Sequence, residues 1–377
     1  MDAIYYKFLF ENTNDGIYHI GTVWDTYEDF KLNFIYVCPS TEKVTKKDGL
    51  TPRFIADTYP LDYLIIANLS YDYLERVIGL IKNRQINTVI MPYFTPDQRK
   101  EIIYSYAKQE KFVSDDMQIF FVDPYQYLIN YGVENVYSFL GNGPMYEEED
   151  IWDGVHFDPI DVRIQSQITR LEGYELPVYK AGYIKAGYWL LYFGNYGDGL
   201  DSTIVMYHGS IGEDTEQLDS SLCVRNFSKL HQCYSDITSK EYTCEIKCNF
   251  MNDHDNLRRH NRDEVKKYIN GTFLLGNMKV LGNVEKLYHR FAVIKEHVRV
   301  LAVPNSGALG YWDRRLLGFG MEHYKTYWVG PNNKLTQAEM IKDIHIASPH
   351  NRYMLLDEYF GVCMSGFLKY KNDYYSL

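Results

Sequence analysis

The segment Asp62–Arg84, DYLIIANLSYDYLERVIGLIKNR, sets polar side chains between an apolar run and an amphipathic one. Among Asn68, Ser70, Asp72 and Tyr73, which follow the apolar run, Asp72 is the one good ligand for a metal ion. Asn and Ser bind zinc poorly, and a Tyr ligates only once ionised. A single carboxylate cannot hold a catalytic transition metal. Arg76 stands four residues after Asp72, on the same face of a helix, so the two side chains can form an ion pair, buried or on the surface. A second concentration of reactive types is His231, Cys233, Cys244, Cys248 and His254. It holds no Cys-x-x-Cys pair and matches no common zinc module. Cys244, Ile246 and Cys248 alternate with Glu245 and Lys247, the pattern of a half-buried strand carrying core thiols. His208-Gly209-Ser210 reads as a turn at a strand end, and Ser306 has no nearby base, so no hydrolytic triad is supported. Gly141-Asn142-Gly143 is not followed by a helical pattern and reads as a turn rather than a phosphate cradle.

These residues depend on the elements that carry them. Tyr5–Phe10, Gly16–Val23 and Leu32–Val37 are rich in β-branched and aromatic residues and predict strands. Tyr63–Ala67 and Val89–Tyr93 predict two more, joined by a helix whose Leu74, Val77, Ile78 and Ile81 follow the i, i+3, i+4, i+7 stripe. Thr95-Pro96, with Gln98 three residues after the Thr, predicts a capping box and a helix to about Gln109. Gln118–Val122 reads as a short apolar strand, and Asp123-Pro124 as the start of another helix. This alternation predicts parallel strands with helical crossovers. Strand signals resume at Tyr188–Phe193 and Ser202–Tyr207. Asp253–Tyr268 is charged and reads as helical.

Composition narrows the function classes. The 377 residues are 46% hydrophobic, enough for a sizeable core. The net charge of −11 argues against a nucleic-acid partner, because backbone binding needs a basic face. The 36 Tyr residues suit wet protein interfaces and equally reflect compositional bias. The polar N-terminal segment lacks the pattern of a signal peptide, and no apolar run is long enough to span a bilayer. With six scattered cysteines, these features predict a cytoplasmic protein with reduced thiols.

The order of the elements resembles the metallo-β-lactamase superfamily in its bacterial members. There, an apolar strand ends in Ser-His-x-His-x-Asp-His before a helix and a second strand. The corresponding positions hold Asn68, Ser70, Asp72 and Tyr73. An early Tyr-Asp-Cys-Gly-Ser landmark is matched by Tyr36-Val37-Cys38-Pro39-Ser40. A Thr-Gly-Asp strand end is matched by Leu275-Gly276-Asn277, and Pro-His-His-Gly by Pro304-Asn305-Ser306-Gly307. The Ser-x-Gly strand with its Asn-x-x-x-His tail is matched by Trp328-Val329-Gly330 and Asn333, with Gln337 in place of the His. The resemblance implies a fold of the α+β or α/β class, a four-layer αββα sandwich over residues 1–377, with an elaborated or inserted region at about 131–260. It implies vacated ligand positions at Asn68, Ser70, Asp72, Tyr73, Asn277, Asn305 and Gln337, with no catalytic residue, metal or other cofactor.

From this follows the expectation of a catalytically inactive protein, an interaction or sensing subunit of a multi-protein bacterial system such as phage defence. The acidic run Glu147, Glu148, Glu149 and Asp150, with the basic Arg258, Arg259 and Arg262, is the expected docking surface for a protein partner; ordinary solvated surface is the plainer reading. The alternative is a hydrolase with a relocated or reduced metal site, acting on nucleic acid or a small molecule.

Overall fold

The computed structural model describes residues 3–13, 16–25, 30–39, 60–139, 141, 162–163, 178–179, 181–186, 189–197, 199–210, 215–226, 271–282, 284–291, 298–307, 310–319, 326–331, 338–347, 352–356 and 360–370. Its class is α+β, with two mixed sheets and short helices.

The first sheet begins with β1 (Ala3–Thr13), β2 (Gly16–Asp25) and β3 (Phe30–Pro39), an antiparallel meander. Then β4 (Leu61–Ile66), β5 (Ile86–Pro92) and β6 (Asn135–Phe139) continue it in parallel. The short β7 (Val162–Arg163) belongs to the second sheet and β8 (Val178–Tyr179) to the first. The second sheet also holds β9 (Ala181–Ala186), β10 (Trp189–Tyr196) and β11 (Thr203–Ser210). Beyond β12 (Thr215–Asn226) come β13 (Gly271–Leu274), β14 (Val298–Ala302), β15 (Tyr327–Pro331), β16 (Arg352–Leu356) and β17 (Phe360–Tyr370). The nine-stranded order is β12-β17-β1-β2-β3-β4-β5-β6-β8, and the eight-stranded order is β16-β15-β14-β13-β11-β10-β9-β7. The described strands between residues 135 and 226 are thus shared between both sheets.

The crossover helices follow their sequence signals. In α1 (Tyr71–Asn83), Leu74, Val77, Ile78 and Ile81 are all buried. In α2 (Pro96–Lys108), Thr95 accepts from the Gln98 amide, and the Gln98 side chain accepts from the Thr95 amide, closing the capping box. The segment expected to be a strand at Gln118–Val122 is instead the end of helix α3 (Asp115–Val122). Ser114 caps it by accepting from the Met117 amide, Asp115 and Asp116 favour its positive N-terminal end, and Met117, Phe120 and Phe121 bury one helical face. The strand that follows β5 is β6, reached through α4 (Pro124–Asn130), which Asp123 caps.

Strand alternation sorts the apolar side chains into separate cores. Phe8, Phe34, Ile65 and Ile90 of the first sheet pack with Leu191, Phe193, Ile204, Met206, Leu274 and Val300 of the second. The alternate residues Leu64, Ile66 and Val89 pack with Leu74, Val77, Ile102 and Phe120 of the helices. In the third core Val205, Phe273, Leu301 and Trp328 meet Leu287 of α5 (Val284–Arg290) and Met340 and Ile344 of α6 (Ala338–Ala347). No helix among the described residues is long and apolar enough to cross a membrane.

Candidate functional site

Parallel strands of one sheet release their following loops at the same edge. Here β3 and β4 run in register, Val37 opposite Ile66, and the Ala67 amide continues the ladder by donating to Val37 O at 2.8 Å. The Ala67 carbonyl then turns to the other sheet and accepts from the Ile204 amide at 2.7 Å. The Tyr36 hydroxyl donates to Ile204 O at 2.7 Å. This edge therefore joins the ends of β3 and β4 to the start of β11.

The ends of β13 and β14 arrive at the same place. Gly276 adopts φ +57°, and a Cβ there would lie 2.6 Å from Thr203 Oγ1 and 2.7 Å from the Tyr36 hydroxyl. Only glycine meets both demands without strain. Asn277 follows; its amide donates to Thr203 Oγ1 at 3.3 Å, and its Oδ1 accepts from the Cys38 thiol at 3.4 Å. The Asn305 amide donates to Gly276 O at 2.8 Å. Asn305 sits in a tight turn at φ +40°, a conformation Asn tolerates better than most residues. It is 3% exposed, and its Oδ1 has no hydrogen-bond partner among the described residues. Asn68 uses its Oδ1 to accept from the Ser70 amide at 3.0 Å, bracing the turn into α1.

The structure thus brings Asn68, Ser70, Asn277 and Asn305 to one edge through Ala67, Ile204, Thr203 and Gly276. Asp72 and Tyr73 follow in the first turn of α1, described by their backbone alone, so the expected Asp72–Arg76 pair is not among the described contacts. Gln337, Glu147–Asp150, Arg258, Arg259 and Arg262 lie outside the described residues.

The described side chains of this edge, Asn68, Ser70, Asn277, Asn305 and Cys38, carry amide, hydroxyl and thiol groups. Burial pushes the Cys38 thiol well above the usual thiol range, so it remains protonated and donates to Asn277. Among the described residues, no three His, Cys, Asp or Glu side chains lie close enough to hold a metal ion.

No protein-family model and no curated protein matches this chain.

One buried polar pair escaped the sequence reading. His19 of β2 and His208 of β11 place their Nε2 atoms 2.7 Å apart, and both residues are 0% exposed. His208 lies within β11, not in the expected turn. Phe8, Phe10 and Phe34 surround the rings. One Nε2 must carry a proton and the other must accept it, so the pair is stable as two neutral imidazoles. Burial pushes His19 down to about 3 against the opposing effect of a backbone hydrogen bond at Leu9. Burial, then the neighbouring His19, hold His208 well below the ordinary value. The signal lay in the alternation: His19 shares parity with Ile17 and Val23, and His208 with Ile204 and Met206, all inward-facing.

Proposed function

We propose that this chain is a four-layer αββα sandwich of metallo-β-lactamase type, catalytically inactive, that serves as an interaction or sensing subunit in a multi-protein bacterial system. The observation that carries the reading is the convergence of Asn68, Asn277 and Asn305, far apart in sequence, on one edge where both sheets meet. Two sheets sharing one apolar core, each with helices on its other face, are the layers such a sandwich requires.

A dizinc centre does not fit the donors described at that edge. Zinc ligands must be neutral imidazoles, thiolates or carboxylates. Asn68, Asn277 and Asn305 offer amides, and Cys38 is held protonated and donates to Asn277. On this reading the frame is kept, and Asn68 and Asn277 are engaged in internal hydrogen bonds at the former site.

A surface role has support of its own. Phe112, Ile119 and Val122 are exposed around α3, Ile119 and Val122 one helical turn apart. Exposed apolar side chains of this size are a common anchor of protein interfaces. The acidic run Glu147–Asp150 and the basic Arg258, Arg259 and Arg262 supply charge for steering a partner. The purified protein is expected to carry no stoichiometric zinc, manganese or iron by elemental analysis. In a pull-down or functional assay, Asp72→Ala is expected to be near silent, whereas neutralising either charge run weakens association. A tightly held transition metal that is lost on Asp72→Ala would overturn the reading. So would pocket variants that are inactive while surface variants behave normally.

A further inference from the structure

The register of the nine-stranded sheet sets two cysteines directly opposite each other. β12 pairs antiparallel with β17, and after a bulge between Gln217 and Asp219 the register runs unbroken from Asp219 opposite Phe367 to Asn226 opposite Phe360. Cys223 falls within that run, opposite Cys363. The position of Cys363 is fixed from its other side as well, because β1 pairs with β17 and sets Leu9 opposite Cys363.

Directly opposed residues of an antiparallel pair have Cα atoms about 4.5 or 5.5 Å apart, according to the pair type. Disulfides bridge Cα separations of about 4.4–6.8 Å. Either separation falls within that range. Two of the six cysteines share one rung. Among the described strands, β12 is the marginal one of its sheet.

We propose that Cys223 and Cys363 are a reversible redox modification site, joined by a cross-strand disulfide that fastens β12 to β17. The co-reactant is a small disulfide such as oxidised glutathione. The thiolate of one cysteine attacks that disulfide, forming a mixed disulfide and releasing one glutathione thiolate. The second cysteine loses its proton to solvent and attacks the protein sulfur of the mixed disulfide, releasing the second glutathione. Two protein thiols are oxidised and one glutathione disulfide is reduced to two thiols. In a reducing compartment such bonds are transient and serve sensing rather than static reinforcement. The bond locks β12 to β17, and through β17 to β1.

The test is a peptide map of the full chain. Reduced protein is incubated with oxidised glutathione, quenched with N-ethylmaleimide and digested without reductant. The expected product is a peptide pair linked through Cys223 and Cys363, absent after dithiothreitol and absent from Cys223→Ser and Cys363→Ser. Oxidation is expected to raise the thermal midpoint of the unsubstituted chain by several degrees and to leave both variants unchanged. Cys38, buried and hydrogen-bonded to Asn277, is an internal control expected to remain a thiol. Recovery of Cys223 and Cys363 both alkylated, or linked to Cys233, Cys244 or Cys248 instead, overturns the proposal. The map of the unsubstituted chain decides the matter even if neither variant folds.

Discussion

A hydrogen bond between two imidazoles in an aromatic core is sound only while both rings stay neutral, and this makes His19 and His208 a source of pH dependence. Both are held below the unfolded value of about 6.5, and His19 lies at about 3. The neutral folded form is thus fully favoured above pH ~6.5. As pH falls below that value the unfolded chain takes up protons that the folded chain refuses, and stability declines toward the folded pKa. Each such histidine costs about 1.4 kcal/mol per pH unit, or about 2 kcal/mol between pH 6.5 and 5. Urea unfolding of the native chain at pH 7.5, 6 and 5 should show this loss. The double variant His19→Leu/His208→Leu should show a flatter profile by about twice that amount. An unchanged pH slope in the double variant would refute the assignment. Gly276 is the second critical residue. Gly276→Ala must adopt a left-handed backbone and displace Thr203 or the Tyr36 hydroxyl, at a cost of about 2–4 kcal/mol. Chemical denaturation measures it, and a loss under 1 kcal/mol would mean that the turn rearranges easily.

Helix α3 shows how local signals compete. Its apolar run, Met117 to Val122, is too short for periodicity to separate helix from strand, and the segment reads as a strand when only Gln118–Val122 is weighed. The deciding residue is Ser114, just before the run, whose side chain satisfies the Met117 amide. Ser114→Ala should therefore cost about 1 kcal/mol, with Ser114→Asp close to neutral, in urea unfolding. By contrast, α1 and the capping box of α2 were legible, because a four-residue stripe and a reciprocal cap are contained within one helix. The first three strands and the crossovers to β4 and β5 were legible for the same reason. What local pattern could not supply was pairing across great sequence distance. Nothing in β1 announces that its partner is β17, and His208 gives no hint of His19 until two sheets are stacked. The candidate edge stands between these cases. Asn68, Asn277 and Asn305 were picked out by resemblance, but the bonds that tie them run through Ile204 and Thr203, which no motif marks.

For the whole molecule, the two sheets close over one shared core, and at the candidate edge the Ile204–Ala67 backbone bond, the Tyr36 hydroxyl on Ile204 O and the Cys38 thiol on Asn277 join them. Truncation before β17 would remove the partner of both β1 and β12 at once. The resulting chain should be insoluble or associate through the exposed edge of β1, as sedimentation of the truncated protein would reveal. A soluble monomer would show that β1 is protected in another way. The same arrangement has a temporal side. The ribosome delivers β1 long before β17, and Leu9 then waits for Cys363, so the β1–β3 meander must persist with that side unpaired while the strands between are made. Contacts so distant along the chain make folding slow, and slow folding with an open strand edge is the condition under which nascent proteins need a chaperone.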